Sequence, residues 1–410
     1  MKFFTATLLL SGVLAYYVYL PLPNTICEPW KLMILDAVFR SFMHVGNLAH
    51  DLGLGHPIRI INYMMLKVEV IGPQSSQTVQ VTDTFFAGVP VRVFEPATPV
   101  EQQHHLRRAV VYFHGGGWAL LSGRMRSYDL LCRNMVEEMD AVIVSVDYSL
   151  APDAHFPQQY FDALNASTFF LSPEVLAQYS VDPERVAISG DSAGGNLAAA
   201  VVQQMVSENK TSTKFKLQAL IYPVLQALDF NTPSYQQNGD TPILYRPMMA
   251  RFWLEYLNAS PSLVPLLLAN NHTALDLARL PQAVRARVDW TRLVSPDFQK
   301  EYRRVSPARG SAGVLEELPA LLDARAAPLL AEEEVLRAAP PTYIMTCEHD
   351  VLRDDGLMYA RRLEDAGVAV TRDHYEDGFH ACMVFSFWPA KFSVGTRSMW
   401  NYIRWLNKHL

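Results

Sequence analysis

The sequence predicts an α/β fold, a mostly parallel central sheet flanked by helices, on three observations. Ala109–Phe113 is a continuous apolar run, and it and the largely apolar stretches Ala141–Val146, Leu217–Tyr222 and Thr342–Thr346 read as interior strands. Helical stretches separate most of them, an alternation that implies parallel strands joined by crossover helices. Between Arg185–Ser189, which reads as a short buried strand, and the small-residue run Gly195–Val202 stands Gly190-Asp191-Ser192-Ala193-Gly194, a G-x-S-x-G placed at a strand-to-helix turn.

The 410 residues can bury a large core, enough for one large α/β domain with an inserted or appended cap. Half the residues are hydrophobic and 19% are charged, which excludes a disordered chain. The net charge of −6 comes without a long basic run, so nucleic acid is not an expected partner. None of the four cysteines, Cys27, Cys132, Cys347 and Cys382, forms a C-x-x-C pair, which argues against zinc and thioredoxin-like chemistry. Disulfide pairing cannot be assigned from the sequence. His104-His105 lies in a polar stretch and reads as a solvated loop. The reading requires no metal and no cofactor.

In chain order, Phe3–Leu20 is 18 residues without a charge, just long enough to span a bilayer. Tyr16, Tyr17, Tyr19 and Trp30 lie at or beyond its far end like an interfacial belt, and Pro21 and Pro23 stop the helix. Residues 1–23 are therefore expected to be an uncleaved type II signal anchor. The rival is a signal peptide cleaved near Val13-Leu14-Ala15. The catalytic domain should occupy 24–410, with a cap formed by about 24–70, read as amphipathic helices, and part of 223–340. Thr78–Phe85 and Val89–Phe94 alternate around Ala87-Gly88 and predict a hairpin. Met125–Met139, Tyr160–Phe170 and Pro173–Tyr179 read as helices between the strands. Pro223–Pro340 breaks the rhythm with prolines, aromatics and leucine-rich pieces. Beyond it, Asp354–Ala366 reads as a helix, Val368–His374 as the last strand and Ser398–Leu410 as an amphipathic helix. Of the N-x-[ST] triplets, Asn209, Asn258 and Asn271 are the glycosylation candidates. Asn165 is set aside because its stretch is expected close to the core.

A serine hydroxyl needs a base to take its proton and a third group to orient that base. In a sheet of this type the order is Ser, acid, His, with the partners in loops after later strands. Ser192 is the expected nucleophile. Asp350, after the strand Thr342–Thr346, is the expected acid, and His380, after the last strand, the expected base. Asp354 and Asp355 are better explained as first-turn helix residues favoured by the dipole. His349 precedes the acid on its loop and His374 falls within a strand, so neither is preferred. His114-Gly115-Gly116-Gly117-Trp118 follows a buried strand. The N–H groups of Gly115 and Gly116, with that of Ala193, are expected to hold the oxyanion. His114 and Gly117 complete the motif.

These motifs, with Ala326-Ala327-Pro328-Leu329-Leu330 and Leu352-Arg353-Asp354-Asp355-Gly356, resemble the hormone-sensitive-lipase branch of the α/β-hydrolases over the full length, and within it the arylacetamide deacetylases. The resemblance implies an α/β-hydrolase fold and a type II protein of the endoplasmic reticulum membrane with a lumenal active site. It also implies hydrolysis of carboxyl esters and aryl amides, xenobiotics included, through an acyl-enzyme. Small apolar esters or amides are the expected substrates. A neutral-lipid lipase acting on triacylglycerol or cholesteryl ester is the alternative, and a non-catalytic binding protein on the same fold a more distant one. Two departures stand out. The branch's Tyr-Arg-Leu-Ala-Pro reads Tyr148-Ser149-Leu150-Ala151-Pro152, without its arginine. Ala119 stands where close relatives carry a cysteine, so the disulfide the resemblance implies between that position and Cys347 cannot form.

Overall fold

The computed structural model describes residues 2–97, 105–208, 213–273, 282–303, 305 and 313–410. His104 and Asn209 lie outside the described residues.

Eight strands form one sheet in the order β1-β2-β4-β3-β5-β6-β7-β8. They are β1 (Val79–Phe86), β2 (Val89–Pro96), β3 (Arg107–Phe113), β4 (Ala141–Val146), β5 (Val181–Asp191), β6 (Leu217–Ile221), β7 (Thr342–His349) and β8 (Val370–Phe379). The β1–β2 hairpin and the β2–β4 pair are antiparallel, and every pair from β4 to β8 is parallel. Side chains alternate across a strand, so a strand covered on both faces is apolar at every position. On β3, Ala109, Val111 and Phe113 enter the core on one face while Val110 and Tyr112 enter the core on the other.

β7 and β8 run further than the apolar pattern predicts. β8 extends through Glu376–Phe379, expected as a loop, because β7 also continues and His349 pairs with Phe379. Backbone pairing outlasts hydrophobicity on this polar edge strand. The helices Arg126–Met139, Gln158–Phe170, Ala193–Glu208 and Arg353–Asp365 fall where expected. The last, Ser393–His409, begins five residues before the expected start at Ser398.

The first helix covers Lys2–Val18 and is 17 residues long. At 1.5 Å per residue that is roughly 26 Å, short of a hydrocarbon core of roughly 30 Å. It stops before Leu20 because Pro21 biases the preceding residue away from helical geometry. Among the described residues no helix is long and apolar enough to cross a membrane. The end of this helix is held by the next one, Pro29–Asp51. Arg40 donates to the Tyr17 carbonyl at 2.8 Å and lies over the Tyr17 ring.

Residues 24–70 contain Pro29–Asp51 and Pro57–Glu69. The stretch from Pro223 to Pro340 shows short helices and no strand among its described residues, with Arg246–Tyr256 the longest helix. The two regions meet. Tyr245 bonds Asp36, and His56 lies 3.5 Å from Glu255. They close over the turn after β3, where the Leu121 N–H donates to Asn62 and Trp118 stacks on Tyr256 at 4.2 Å.

The turn after β5 has no room for side chains at its flanks. A Cβ on Gly194 would coincide with the Phe113 carbonyl oxygen of β3, and one on Gly190 would collide with the Gly194 backbone. Gly194→Ala is therefore expected to lose roughly 3 kcal/mol or more of stability. Gly313→Ala meets nothing within 4 Å and should change stability by less than about 0.5 kcal/mol. Denaturant melts of the two variants check the contrast.

Candidate active site

Ser192 sits between β5 and the helix Ala193–Glu208 with φ of 54°, a left-handed conformation that a non-glycine residue rarely adopts. The strain thrusts its side chain out of the sheet's end. Asp350 directly follows β7, and His380 directly follows β8. These strands run parallel to β5, so all three side chains emerge at the same edge.

His380 Nε2 lies 3.0 Å from Ser192 Oγ, and His380 Nδ1 lies 2.8 Å from Asp350 Oδ2. Asp350 is fully buried, and Ser192 and His380 are nearly so. The other Asp350 oxygen accepts the Leu352 N–H at 2.8 Å. Asn238 donates its side-chain amide to the Glu348 and Asp350 carbonyls at 2.8 and 3.1 Å, fixing the acid's loop. The Tyr222 ring lies 5.0 Å from the imidazole. A hydroxyl joined this way to an imidazole and a buried carboxylate can deliver its proton as it attacks a carbonyl.

The expected donors for a developing oxyanion divide. The Gly115 N–H is shared between Asp191 Oδ1 and the Tyr128 hydroxyl, both at 3.0 Å, so it faces into the protein and the expectation for Gly115 is corrected. Among the described residues no acceptor takes the N–H of Gly116 or Gly117. Both have positive φ, and a Cβ on Gly116 would coincide with the Leu120 carbonyl. Ala193 is the first residue of its helix, so its N–H is one that a helix leaves without an internal partner. Gly116, Gly117 and Ala193 thus form the donor set the geometry offers.

Asp191, the variable residue of the G-x-S-x-G, holds the glycine turn in place, a function the sequence reading missed. Its carboxylate takes hydrogen bonds from the Tyr112 and Tyr128 hydroxyls at 3.0 and 3.1 Å as well as from Gly115. The available signal was a carboxylate at the end of the strand, just past the apolar run Val186–Ile188. Burial pushes its pKa from 3.8 up to about 6, against the hydrogen bonds from the two tyrosines. His114 is a structural part of the same turn. It stacks on Tyr148 at 4.4 Å, and burial lowers its pKa. The Tyr148 hydroxyl donates to the His114 carbonyl at 2.7 Å.

The rival residues are engaged elsewhere. His349 bonds Thr25 at 2.9 Å, and His374 bonds Thr346 at 2.9 Å and Glu348 at 3.2 Å. Asp354 and Asp355 do occupy the first turn of their helix, but both are buried. Asp355 accepts the Leu225 N–H at 2.8 Å and Asp354 the Ser234 N–H at 2.7 Å. The Ser149 N–H donates to the buried Asp162 at 2.9 Å, where the missing arginine would have stood. All four cysteines are free. Among the described residues no group of three or more His, Cys, Asp or Glu is arranged to hold a metal ion. Asn258 is exposed and Asn271 half-buried; Asn165, expected near the core, is exposed on its helix.

Residues 110–293 and 310–384 match a family described as alpha/beta hydrolase fold. Neutral cholesterol ester hydrolase 1 of Mus musculus is 55% identical over 401 residues, 98% of each chain. Arylacetamide deacetylase of Mus musculus is 44% identical over 407 residues, 99% of each chain. A solved thermostable esterase from Pseudomonas putida superposes with a TM-score of 0.61 at 25% identity, over 90% of this chain and 97% of that one. The resemblance to the arylacetamide deacetylases therefore holds for the branch, while the identity to the neutral cholesterol ester hydrolase is higher.

Asp191 binds its proton more tightly folded than unfolded, so its contribution to stability falls as pH rises from about 4 to about 6 and is flat above. Asp191→Asn should flatten that part of the Tm–pH curve. The loosened glycine turn should also lower kcat about tenfold with little change in KM. Thermal melts across pH and steady-state kinetics on a soluble ester check both effects.

Proposed function

The chain belongs to the alpha/beta hydrolase fold family and is a serine carboxylesterase, and on that premise we propose that it hydrolyses neutral-lipid esters, cholesteryl esters foremost. The observation that carries the proposal is the higher identity to neutral cholesterol ester hydrolase 1 than to arylacetamide deacetylase, over nearly the whole of both chains. Cleavage of aryl amides and short esters is the second reading, and the 44% identity to arylacetamide deacetylase supports it.

In the proposed mechanism Ser192 Oγ attacks the ester carbonyl while His380 Nε2 takes its proton. Asp350 holds the imidazole with Nδ1 protonated and stabilises the imidazolium. The oxyanion forms within reach of the Gly116, Gly117 and Ala193 N–H groups. His380 returns the proton to the departing alkoxide, leaving an acyl-Ser192, and the same base then activates water to release the acid.

The proposal includes attachment to a membrane through residues 1–23, with the body on the lumenal side of the endoplasmic reticulum. The support is a face as well as a segment. Trp30, Ile34, Val38, Val45, Leu48 and Leu52 are all exposed. At 100° per residue they fall within one 80° stripe of the helix Pro29–Asp51 and its C-cap Leu52, a stripe that carries no charged residue. The first helix reaches the stripe at its middle, with the Tyr17 hydroxyl 3.3 Å from Ser41. Apolar faces of this kind bury into the headgroup–acyl boundary, where a neutral lipid is met. The exposed Asn258 suits a lumenal body.

Four measurements test these statements. Ser192→Ala should lose at least about 10³-fold in kcat with an unchanged Tm. The wild type should turn over cholesteryl ester in vesicles faster than an aryl acetamide, and the reverse order would favour the deacetylase reading. Val45→Glu/Leu48→Glu should cut vesicle-borne turnover about tenfold while leaving a soluble short ester untouched, because two charges on the stripe oppose insertion. In cells, Asn258→Gln should remove one glycosidase-sensitive mobility step. Its absence from the wild type would count against lumenal exposure of that site.

A further inference from the structure

Cys347 and Cys382 take no part in the chemistry described above, yet they flank it. Cys347 lies in β7 three residues before Asp350, and Cys382 lies two residues after His380. The two sulfur atoms are 3.6 Å apart, and both side chains are fully buried. We propose that Cys347 and Cys382 are a disulfide-forming pair whose oxidation ties the acid-bearing segment to the base-bearing one.

The surroundings aim the sulfurs at each other. A Cβ on Gly378 would lie 2.8 Å from Cys347 Sγ, so glycine there leaves the space the thiol occupies. The Cys382 N–H donates to the Phe379 carbonyl at 3.1 Å, and Ala381 between His380 and Cys382 has φ of 65°, which turns the chain back toward β7. A disulfide bond of about 2.05 Å requires the sulfurs to close by roughly 1.5 Å. The resemblance leads one to expect a cysteine near position 119 as the partner of Cys347, and Ala119 removes it. Cys382 is the thiol this fold offers in its place. The other two cysteines have different neighbours: Cys27 lies 3.0 Å from Ser393 Oγ, and Cys132 is on the buried face of the helix Arg126–Met139.

The oxidant is a small-molecule disulfide, for which glutathione disulfide is the probe. The Cys382 thiolate attacks one glutathione sulfur and expels the first glutathione thiolate. The Cys347 thiolate then attacks Cys382 Sγ in the mixed disulfide and expels the second. The two thiol protons end on the two glutathiones, and the two electrons lost by the cysteines reduce the glutathione disulfide. Burial and the neighbouring Cys382 hold the Cys347 thiol well above its usual pKa, so exchange proceeds during folding or when the segment after β8 opens. The closed loop spans a separation of 35 residues. The bond should raise Tm by on the order of 5 °C.

The test uses the full-length protein in detergent, equilibrated in mild denaturant with glutathione disulfide or with a phosphine reductant. It is then refolded for melting, or fully denatured and alkylated for intact-mass and peptide analysis. After reduction all four cysteines should be alkylated. After oxidation only Cys27 and Cys132 should be alkylated, and one peptide should carry the Cys347–Cys382 cross-link. Cys382→Ser and Cys347→Ala should each leave no cross-link and no difference in Tm between the two conditions. Four alkylated cysteines after oxidation, a cross-link through Cys27 or Cys132, or a Tm difference that survives in Cys382→Ser would each overturn the proposal. None of these readouts depends on the substrate, so the proposal stands or falls apart from the neutral-lipid reading.

Discussion

The contact between Gly194 and the end of β3 is the constraint from which the site is built. The nucleophile turn presses against the neighbouring strand so closely that a single methyl group at Gly194 would coincide with the Phe113 carbonyl. That closeness drives Ser192 into its left-handed conformation and directs its neighbour Asp191 beneath the following glycine turn. One compact crossing therefore sets the nucleophile, the start of a helix with free N–H groups, and the carboxylate that shapes the opposite wall. Strain at Ser192 and the cost of burying Asp191 are both local expenses, and the surrounding sheet over-determines them.

The acid arm is held by a second device, a buried polar network on the far half of the sheet. Asn238 ties the carbonyls of Glu348 and Asp350, Asp354 and Asp355 grip the backbone at Ser234 and Leu225, and Arg353 bonds Glu348 at 2.7 Å and Gln237 at 2.8 Å. The segment after β6 is thereby bonded to the segment after β7. Burial pushes the Asp355 carboxyl up to about 7 despite three hydrogen bonds. A buried, hydrogen-bonded frame fixes the loop that aims Asp350 at His380.

Legibility in the sequence followed how local each signal is. The central strands are apolar on both faces, so periodicity and composition alone located them to within a few residues. Ser192, Asp350 and His380 were readable because chain order and strand ends are topological facts that survive without coordinates. Gly115 was misassigned because motif position does not say which way a backbone N–H points. That direction is set by Asp191 and Tyr128, 76 and 13 residues away in sequence. Glu376–Phe379 was taken for loop because its strand character comes from the continuing partner β7 and not from its own side chains. The span of the first helix was overestimated by counting uncharged residues to Leu20, when the chain leaves helical geometry at Val18.

Substrate choice lies outside the part of the molecule that this chemistry makes readable. An esterase sharing only 25% of residues superposes over most of the chain, so the sheet and its edge are compatible with many esters. What distinguishes one member from another must be carried by the residues that cover the site and by the surface that meets the substrate's phase. Here Asn62 of Pro57–Glu69 and Tyr256 of Arg246–Tyr256 both reach the turn after β3, and in the proposed reading the surface is the uncharged stripe of Pro29–Asp51. A water-insoluble ester reaches a buried serine only if the enzyme shares the lipid's surface. The proposed neutral-lipid reading asks for an apolar helix face of this kind, and a soluble amide would place no such demand on it.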